Sequence, residues 1–119
     1  MQRDLVANGE ANKMFIRSKD ELQGDSFYPI TWICEQLEPF TASINSVLEI
    51  GSSNGAKLRQ ICRTLDCKGF GIDPSNMAVD DGNARGGVTL TVSSAAELDF
   101  ADKSFDMVYF GFCLYMFDR

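Results

Sequence analysis

The chain has 119 residues, 45% of them hydrophobic, and this length and composition predict one folded domain and exclude a disordered chain. Its formal net charge is −6, from 17 acidic and 11 basic residues, and the basic residues form no stripe, so we expect no nucleic-acid partner. No run of 18 apolar residues and no signal-peptide core occurs, so we expect no membrane span and a cytoplasmic location.

The four cysteines contain no C-x-x-C pair, so their spacing does not indicate a metal site. Cys34, Cys62 and Cys113 lie within apolar periodic stretches, and the fourth cysteine is Cys67. A free cysteine in such a stretch behaves as a small buried hydrophobic residue. We therefore expect buried free thiols in a reducing compartment, without zinc and without disulfides.

The amino-terminal segment, residues 1–45, is expected to be helical and to pack on a sheet formed by the rest of the chain. Residues 1–24 are polar with scattered apolar positions, which predicts a loosely docked helix. Between Pro29 and Pro39 the apolar residues recur at helical spacing, at Ile30, Ile33, Cys34 and Leu37. The flanking aromatic residues could pack on the sheet or lie over a ligand, and we expect packing for Phe27, Tyr28 and Trp32.

From residue 46 onward, short apolar runs alternate with helical patterns. Strands are predicted at 46–50, 68–72, 88–92 and 105–110, and helices at about 54–65 and 75–82. Strands and helices that alternate at this spacing are typical of an α/β fold with right-handed crossovers. The sequence therefore predicts a mostly parallel sheet covered by helices.

The last predicted strand runs into a strongly apolar segment, residues 110–117, and no further strand follows to cover that edge. An open apolar edge of a sheet favours association with another chain. We therefore expect either a fragment of a longer protein or a partner at the fourth strand, such as a second copy in a homo-oligomer.

A glycine turn, Gly51-Ser52-Ser53-Asn54-Gly55, is the most informative stretch of the sequence. It directly follows an apolar run that contains Glu49, and the next apolar run ends in Asp73. The carboxyl ends of neighbouring parallel strands meet at one edge of a sheet. Two acids and a glycine turn at that edge predict a nucleotide cleft.

The glycine turn has three competing interpretations, and the first two come from known glycine motifs. The turn satisfies G-x-S-x-G, the nucleophile elbow of α/β hydrolases, with Ser53 as the nucleophile, but the chain has no histidine to act as base. A dinucleotide fingerprint would align Gly51, Ser53 and Ala56 with Asp73 as the ribose-binding acid. Ser53 then replaces the middle glycine, and Glu49 would repel a pyrophosphate.

The third interpretation is a cationic ligand without phosphates. S-adenosylmethionine has these properties, because its sulfonium and ammonium groups accompany an adenosine. Glu49 would offset the positive charge, and Asp73 would accept hydrogen bonds from both ribose hydroxyls.

Four segments in the expected order resemble the class I S-adenosylmethionine-dependent methyltransferases, and they span residues 47–55, 69–75, 93–100 and 104–111. The resemblance covers residues 46–119, the amino-terminal, cofactor-binding half of that fold. It implies a Rossmann-like α/β domain with sheet order 3-2-1-4, truncated after the fourth parallel strand. The implied activity is methyl transfer from S-adenosylmethionine to a small-molecule acceptor.

The resemblance also implies which residues hold the cofactor: Glu49, Gly51, Ser52, Ser53, Gly55, Asp73, Pro74, Ser94, Ala95, Gly111 and Phe112. Tyr115 is a candidate group on the substrate side, and neither a catalytic residue nor a metal ligand is predicted. Ser53 departs from the central glycine common in the family, and Ser94 from a frequent aspartate. The family has three further strands, so the alternatives are a non-catalytic binding or scaffold remnant and, less favoured, an NAD-binding domain.

Overall fold

Four parallel strands form one sheet in the computed structural model, which describes residues 2–24, 26–93 and 105–111. The strands are β1 (Ser46–Ile50), β2 (Lys68–Asp73), β3 (Thr89–Val92) and β4 (Met107–Phe110). Their order in the sheet is β3-β2-β1-β4. The predicted α/β class and the predicted order 3-2-1-4 are therefore confirmed.

The helices are α1 (Gln2–Ser18), α2 (Tyr28–Leu37), α3 (Ala56–Leu65) and α4 (Asn76–Arg85), with 3₁₀ helices at Glu21–Gln23 and Glu38–Ser43. Three predicted bounds are wrong by two or three residues: the start of α3, the end of α4 and the start of β4, which was predicted at 105 and lies at Met107. The left-handed backbone of Gly55, with φ 75°, delays the start of α3, and α4 continues past residue 82 until Gly86, with φ 76°, ends it. Within the described ranges, no helix is long and apolar enough to cross a membrane.

One face of the sheet carries the larger core. Val47 from β1 and Leu90 from β3 pack there with residues of α2, α3 and α4, namely Ile30, Cys34, Leu58, Ile61 and Val79. Helix α1 packs against α4 and buries Ala11 and Phe15. The amino-terminal segment thus reaches the core through α2, while α1 lies beyond α4.

The opposite face of the sheet has a smaller buried cluster of Leu48, Ile50 and Ile72. In the register of β1 with β4, Leu48 is paired with Val108 and Ile50 with Phe110. Paired residues of neighbouring parallel strands share a face. Val108 and Phe110 are 40% and 49% exposed, so this face carries an apolar surface along β4.

The cysteines that the structure describes are free thiols. Cys34 and Cys62 are buried, which confirms the prediction for these two, and Cys67 is partly buried. Cys113 lies outside the described residues. In the described part of the chain, no group of three or more histidine, cysteine, aspartate or glutamate residues could hold a metal ion.

Candidate functional site

The glycine turn between β1 and α3 is tied to the end of β2. The backbone N–H groups of Gly51 and Ser52 both donate to the carbonyl oxygen of Ile72, at 2.8 and 3.0 Å. Three residues of the turn have left-handed backbones: Gly51, Ser53 and Gly55, with φ of 80°, 52° and 75°. A serine is strained at such a φ, so Ser53 holds its conformation because its neighbours fix it.

Asp73 is the point where β2 meets this turn. Its buried carboxylate accepts one hydrogen bond from the Ser53 N–H at 2.7 Å and one from the Ser75 N–H at 2.9 Å. Burial raises the pKa of Asp73 above its ordinary value, and these two backbone hydrogen bonds offset part of that rise. Each carboxylate oxygen keeps a lone pair after these contacts, so Asp73 can still accept two hydroxyl groups.

Glu49 is buried at the end of β1, with 3% of its surface exposed, and its Oε1 atom has no hydrogen-bond partner. Burial raises the pKa of Glu49 to about 8, and the nearby Tyr109 and Lys57 lower it by less. A buried carboxyl group without a full set of partners is costly when ionised. The site is therefore set up to gain from a cation or a hydrogen-bond donor at Oε1.

Tyr109 and Lys57 complete the polar surroundings of Glu49. The buried Tyr109 hydroxyl has no hydrogen-bond partner of good geometry, although it is near enough to Glu49 for each group to affect the other's pKa. Burial raises the pKa of Tyr109 and lowers that of Lys57. The Lys57 Nζ atom also lies 5.7 Å from the ring centroid of Phe27.

Gly111, directly after β4, brings the fourth strand against the turn. Its N–H donates to the Ile50 carbonyl oxygen at 2.7 Å. A Cβ atom at this position would lie 2.5 Å from the Gly51 carbonyl oxygen and 2.7 Å from Glu49 Oε2. Only glycine permits this close approach, so β4 and the glycine turn together form one continuous edge.

The structure brings five of the predicted cofactor residues to the carboxyl edge of the sheet: Glu49, Gly51, Ser53, Asp73 and Gly111. Pro74 follows Asp73 there and is partly buried. Ser52 and Gly55 serve the turn itself. The buried Ser52 hydroxyl donates to the Ile72 carbonyl at 3.3 Å, and Gly55 precedes α3. Ser94, Ala95, Phe112 and Tyr115 lie outside the described residues.

A cavity of about 620 Å³ opens beside Glu49. Its walls come from α2, the first turn of α3 and the end of β4, and its lining residues are Tyr28, Pro29, Ile30, Trp32, Ile33, Glu49, Lys57, Tyr109, Phe110 and Gly111. The sequence did not predict this cavity.

Two aromatic residues of α2 differ from the prediction that they pack as core. Tyr28 is 82% exposed and Trp32 is 55% exposed, whereas Phe27 packs against the core as expected. Tyr28 and Trp32 are four residues apart and therefore share one side of the helix. Both residues fall outside the apolar stripe of α2, which includes the buried Ile30 and Cys34.

Comparison with protein families gives a match that agrees with this geometry. The family described as "Methyltransferase domain" matches residues 47–119, which is more than half of the chain. No match was found among curated proteins.

Solved structures have the same fold. The plantazolicin methyltransferase BpumL in complex with SAH is similar, with a TM-score of 0.61 and 22% identity over 74% of this chain and 35% of that chain. The same methyltransferase with a pentazolic desmethylPZN analogue and SAH has a TM-score of 0.66 and 19% identity, over 97% of this chain and 48% of that chain. A complex between the Haloferax volcanii Trm112 methyltransferase activator and a methyltransferase has a TM-score of 0.60 and 22% identity, over 84% of this chain and 46% of that chain.

This chain spans between about a third and a half of the length of those solved chains. At these identities the structural likeness establishes the fold, and the family match goes further because it includes the glycine turn, both acids and β4. The resemblance found in the sequence is thereby confirmed, and the chain belongs to the methyltransferase-domain family.

Proposed function

We propose that this chain binds S-adenosylmethionine and forms the cofactor-binding part of an enzyme that methylates a small-molecule acceptor. The observation that carries the proposal is the pair of buried carboxyl groups, Glu49 and Asp73, on either side of one glycine turn. Solved methyltransferases with this fold hold SAH, the product that remains after S-adenosylmethionine gives up its methyl group. That observation supports the same cofactor for this chain.

The unpartnered Oε1 of Glu49 fits the cationic half of this cofactor. The ammonium group would supply the hydrogen bond and the positive charge that Glu49 lacks. At the other end, Asp73 would accept the two ribose hydroxyls with the lone pairs that Ser53 and Ser75 leave open. A dinucleotide fits less well, because its pyrophosphate brings neither a positive charge nor a hydrogen-bond donor to the unpartnered Oε1 of Glu49.

When bound, S-adenosylmethionine supplies a methyl group that is already activated for displacement. The protein then has to hold the acceptor in line with that group and keep water away. Such alignment can be worth roughly 7–11 kcal/mol of the barrier. We assign no general base, because methyl transfer does not always need one.

Calorimetric titration with SAH tests this proposal, and NAD serves as the pyrophosphate-containing control. We expect SAH to bind and NAD not to bind. Asp73→Asn should weaken SAH binding about 10-fold or more, because hydrogen bonds to a charged group are lost. The matched control is Asp80→Asn, which removes the same charge from an exposed position on α4. Equal affinity of the Asp73 variant and the parent chain would refute the ribose contact.

A second candidate function is a non-catalytic binding or scaffold protein that pairs through β4. The exposed Val108 and Phe110 favour it. Transfer of a labelled methyl group to a mixture of small-molecule acceptors would distinguish an enzyme from such a scaffold. We further propose the cytoplasm as the location, because the buried free thiols Cys34 and Cys62 fit a reducing compartment.

A further inference from the structure

The cavity beside Glu49 has aromatic walls that the core does not require. Tyr28 and Trp32 lie on α2, and both stay largely exposed while Ile30 and Cys34 of the same helix are buried. The cavity also reaches Phe110 on β4, whose pairing with Ile50 places its side chain on the opposite face of the sheet. Large aromatic side chains on a cavity wall offer flat apolar faces on which another ring can stack.

Two residues that line the cavity each have a buried polar atom without a hydrogen-bond partner. These atoms are Glu49 Oε1 and the Tyr109 hydroxyl oxygen. A buried polar group without a partner is destabilising. The proposed cofactor supplies a partner at Glu49. The Tyr109 hydroxyl remains, and a rotation of its side chain towards the cavity would let it donate to or accept from a hydroxyl group of a second molecule.

The size of the cavity permits a second molecule. A volume of about 620 Å³ lies within the range of sites that enclose drug-sized ligands, which is about 300–1,000 Å³. Such a site holds more than the amino-acid end of a cofactor. The remaining space lies among the aromatic residues of α2, at the same edge as Glu49 and Gly111.

We propose that this cavity is the acceptor site and that its acceptor is a flat aromatic compound with a hydroxyl group. Tyr28 and Trp32 stack on its rings, and Tyr109 bonds its hydroxyl. This inference rests on the proposed function. In the reaction, the acceptor oxygen bonds to the methyl carbon while the carbon–sulfur bond breaks and leaves its electron pair on sulfur. The hydroxyl proton passes to water.

Trp32 makes a direct test possible, because it is the only tryptophan in the chain. Its indole N–H gives a single signal in proton–nitrogen correlation spectra. The probes are β-naphthol and decahydro-β-naphthol, which share a carbon skeleton and a hydroxyl group but differ in flatness. We expect β-naphthol to shift the Trp32 signal until saturation, and its saturated analogue to leave the signal in place at equal concentration.

Variants then locate the binding. Trp32→Leu and Tyr28→Leu should each weaken β-naphthol binding roughly 3- to 10-fold, measured by calorimetry, since one stacking contact is lost. The matched control is Phe40→Leu, which removes an exposed aromatic residue that does not line the cavity. Circular dichroism checks that each variant is folded.

The outcomes separate this inference from the proposed function. Equal binding of both probes, or β-naphthol binding that leaves the Trp32 signal unmoved, would overturn the aromatic site. SAH binding without β-naphthol binding would overturn the acceptor class alone. β-Naphthol binding without SAH binding would overturn the cofactor proposal and retain an aromatic site. Trp32→Leu should leave SAH affinity unchanged, and a parallel loss of both ligands would count against the inference.

Discussion

Glu49 is the residue with the largest consequences, because it is buried, has an unpartnered oxygen and has a pKa raised to about 8. Without a ligand it therefore carries a proton at neutral pH. A cation beside it favours the ionised form and lowers its pKa. Ligand binding and proton release are linked at this residue.

We predict that SAH binding at pH 7 releases about one proton to the buffer. The ammonium group of SAH stabilises the ionised Glu49, so affinity should rise with pH up to about 8 and then level off. Calorimetry in two buffers of different ionisation enthalpy measures the proton release. Glu49→Gln should release none, and an unchanged release in that variant would contradict the assignment.

Glu49 should also make the free protein less stable at high pH. Its pKa is about 8 when folded and near 4.5 when unfolded, so the native state binds more protons between these values. Its contribution to stability is therefore lost as pH rises from about 4.5 to about 8, by on the order of a few kcal/mol at most. Urea denaturation measures the free energy of unfolding of Glu49→Gln and of the parent chain. The difference between the two should favour the variant more at pH above about 8 than at pH near 5.

Glu35→Gln is the control for this pH effect, because Glu35 is an exposed acid on α2. It removes one carboxylate from the surface of the protein, so Glu49→Gln should gain more stability at high pH than Glu35→Gln does. If Glu49→Gln behaves in the same way, burial does not disfavour the charge of Glu49.

The sequence predicted the two acids and missed the aromatic wall, for a physical reason. The ends of parallel strands share an edge, so strand periodicity was enough to bring Glu49 and Asp73 together. The exposure of Tyr28 and Trp32 depends on how α2 is rotated against the sheet. That rotation is set by tertiary packing, which a single sequence does not specify.

At the scale of elements, the glycine turn is fastened to α4. The fully buried Asn54 donates to Asp81 at 3.0 Å, and the Arg59 side chain donates to the carbonyl oxygens of Gly82 and Gly86 at 3.2 and 2.7 Å. These hydrogen bonds connect the turn directly to α4 and to the glycine that ends it. Changes in α4 should reach the cofactor edge.

Gly82 provides a test, because it lies inside α4 where alanine would normally stabilise a helix. Here a Cβ atom would clash with the Leu90 side chain and with the Asn54 carbonyl oxygen. We predict that Gly82→Ala lowers the free energy of unfolding by about 1–3 kcal/mol and weakens SAH binding. Urea denaturation and calorimetry measure the two effects.

Gly9→Ala is the matched control, because Gly9 lies in α1 with nothing within 4 Å of an added Cβ atom. It should raise the free energy of unfolding by roughly 0.5–1 kcal/mol. Stabilisation by both substitutions would mean that the contact between α4 and the turn is looser than described.

The elements themselves were largely predictable, and their ends were not. Alternation of strand and helix patterns was sufficient for four strands in a mostly parallel sheet, and the order of those strands followed from the resemblance to the methyltransferase family. The last turn of α4 lacks an apolar pattern, but Asn83 holds it by bonding both backbone groups of Leu90, at 3.0 Å each. Such a contact between a helix and the strand that follows it leaves no periodic signal in the sequence.

At the scale of the whole molecule, the apolar surface along β4 is the feature that bears most directly on assembly. Val108 and Phe110 are exposed next to Leu48 and Ile50. Exposed apolar patches on a sheet favour association. The homo-oligomer predicted from the sequence therefore remains a proposal for this 119-residue chain.

We predict that the chain self-associates as its concentration rises and that Val108→Lys shifts it towards the monomer. A charge on this face has to be desolvated when two copies meet, which disfavours the contact. Size-exclusion chromatography with light scattering measures the change. Ala84→Lys is the control, since it adds the same charge to an exposed position on α4, a helix that packs on the other face of the sheet through Val79. A parent chain that is monomeric throughout and takes up no apolar dye would exclude this interface.

The pairing of β4 with β1 has a consequence for synthesis of the protein. Ser46 and Asp106 are joined by hydrogen bonds although they are 60 residues apart in the chain. Gly111, a few residues later, packs against the glycine turn. A nascent polypeptide thus emerges with Asp73, the proposed ribose contact, long before its fourth strand. On the ribosome, the edge proposed to hold the sulfonium end can be completed only after the codon for Gly111 has been read and that segment has left the exit tunnel.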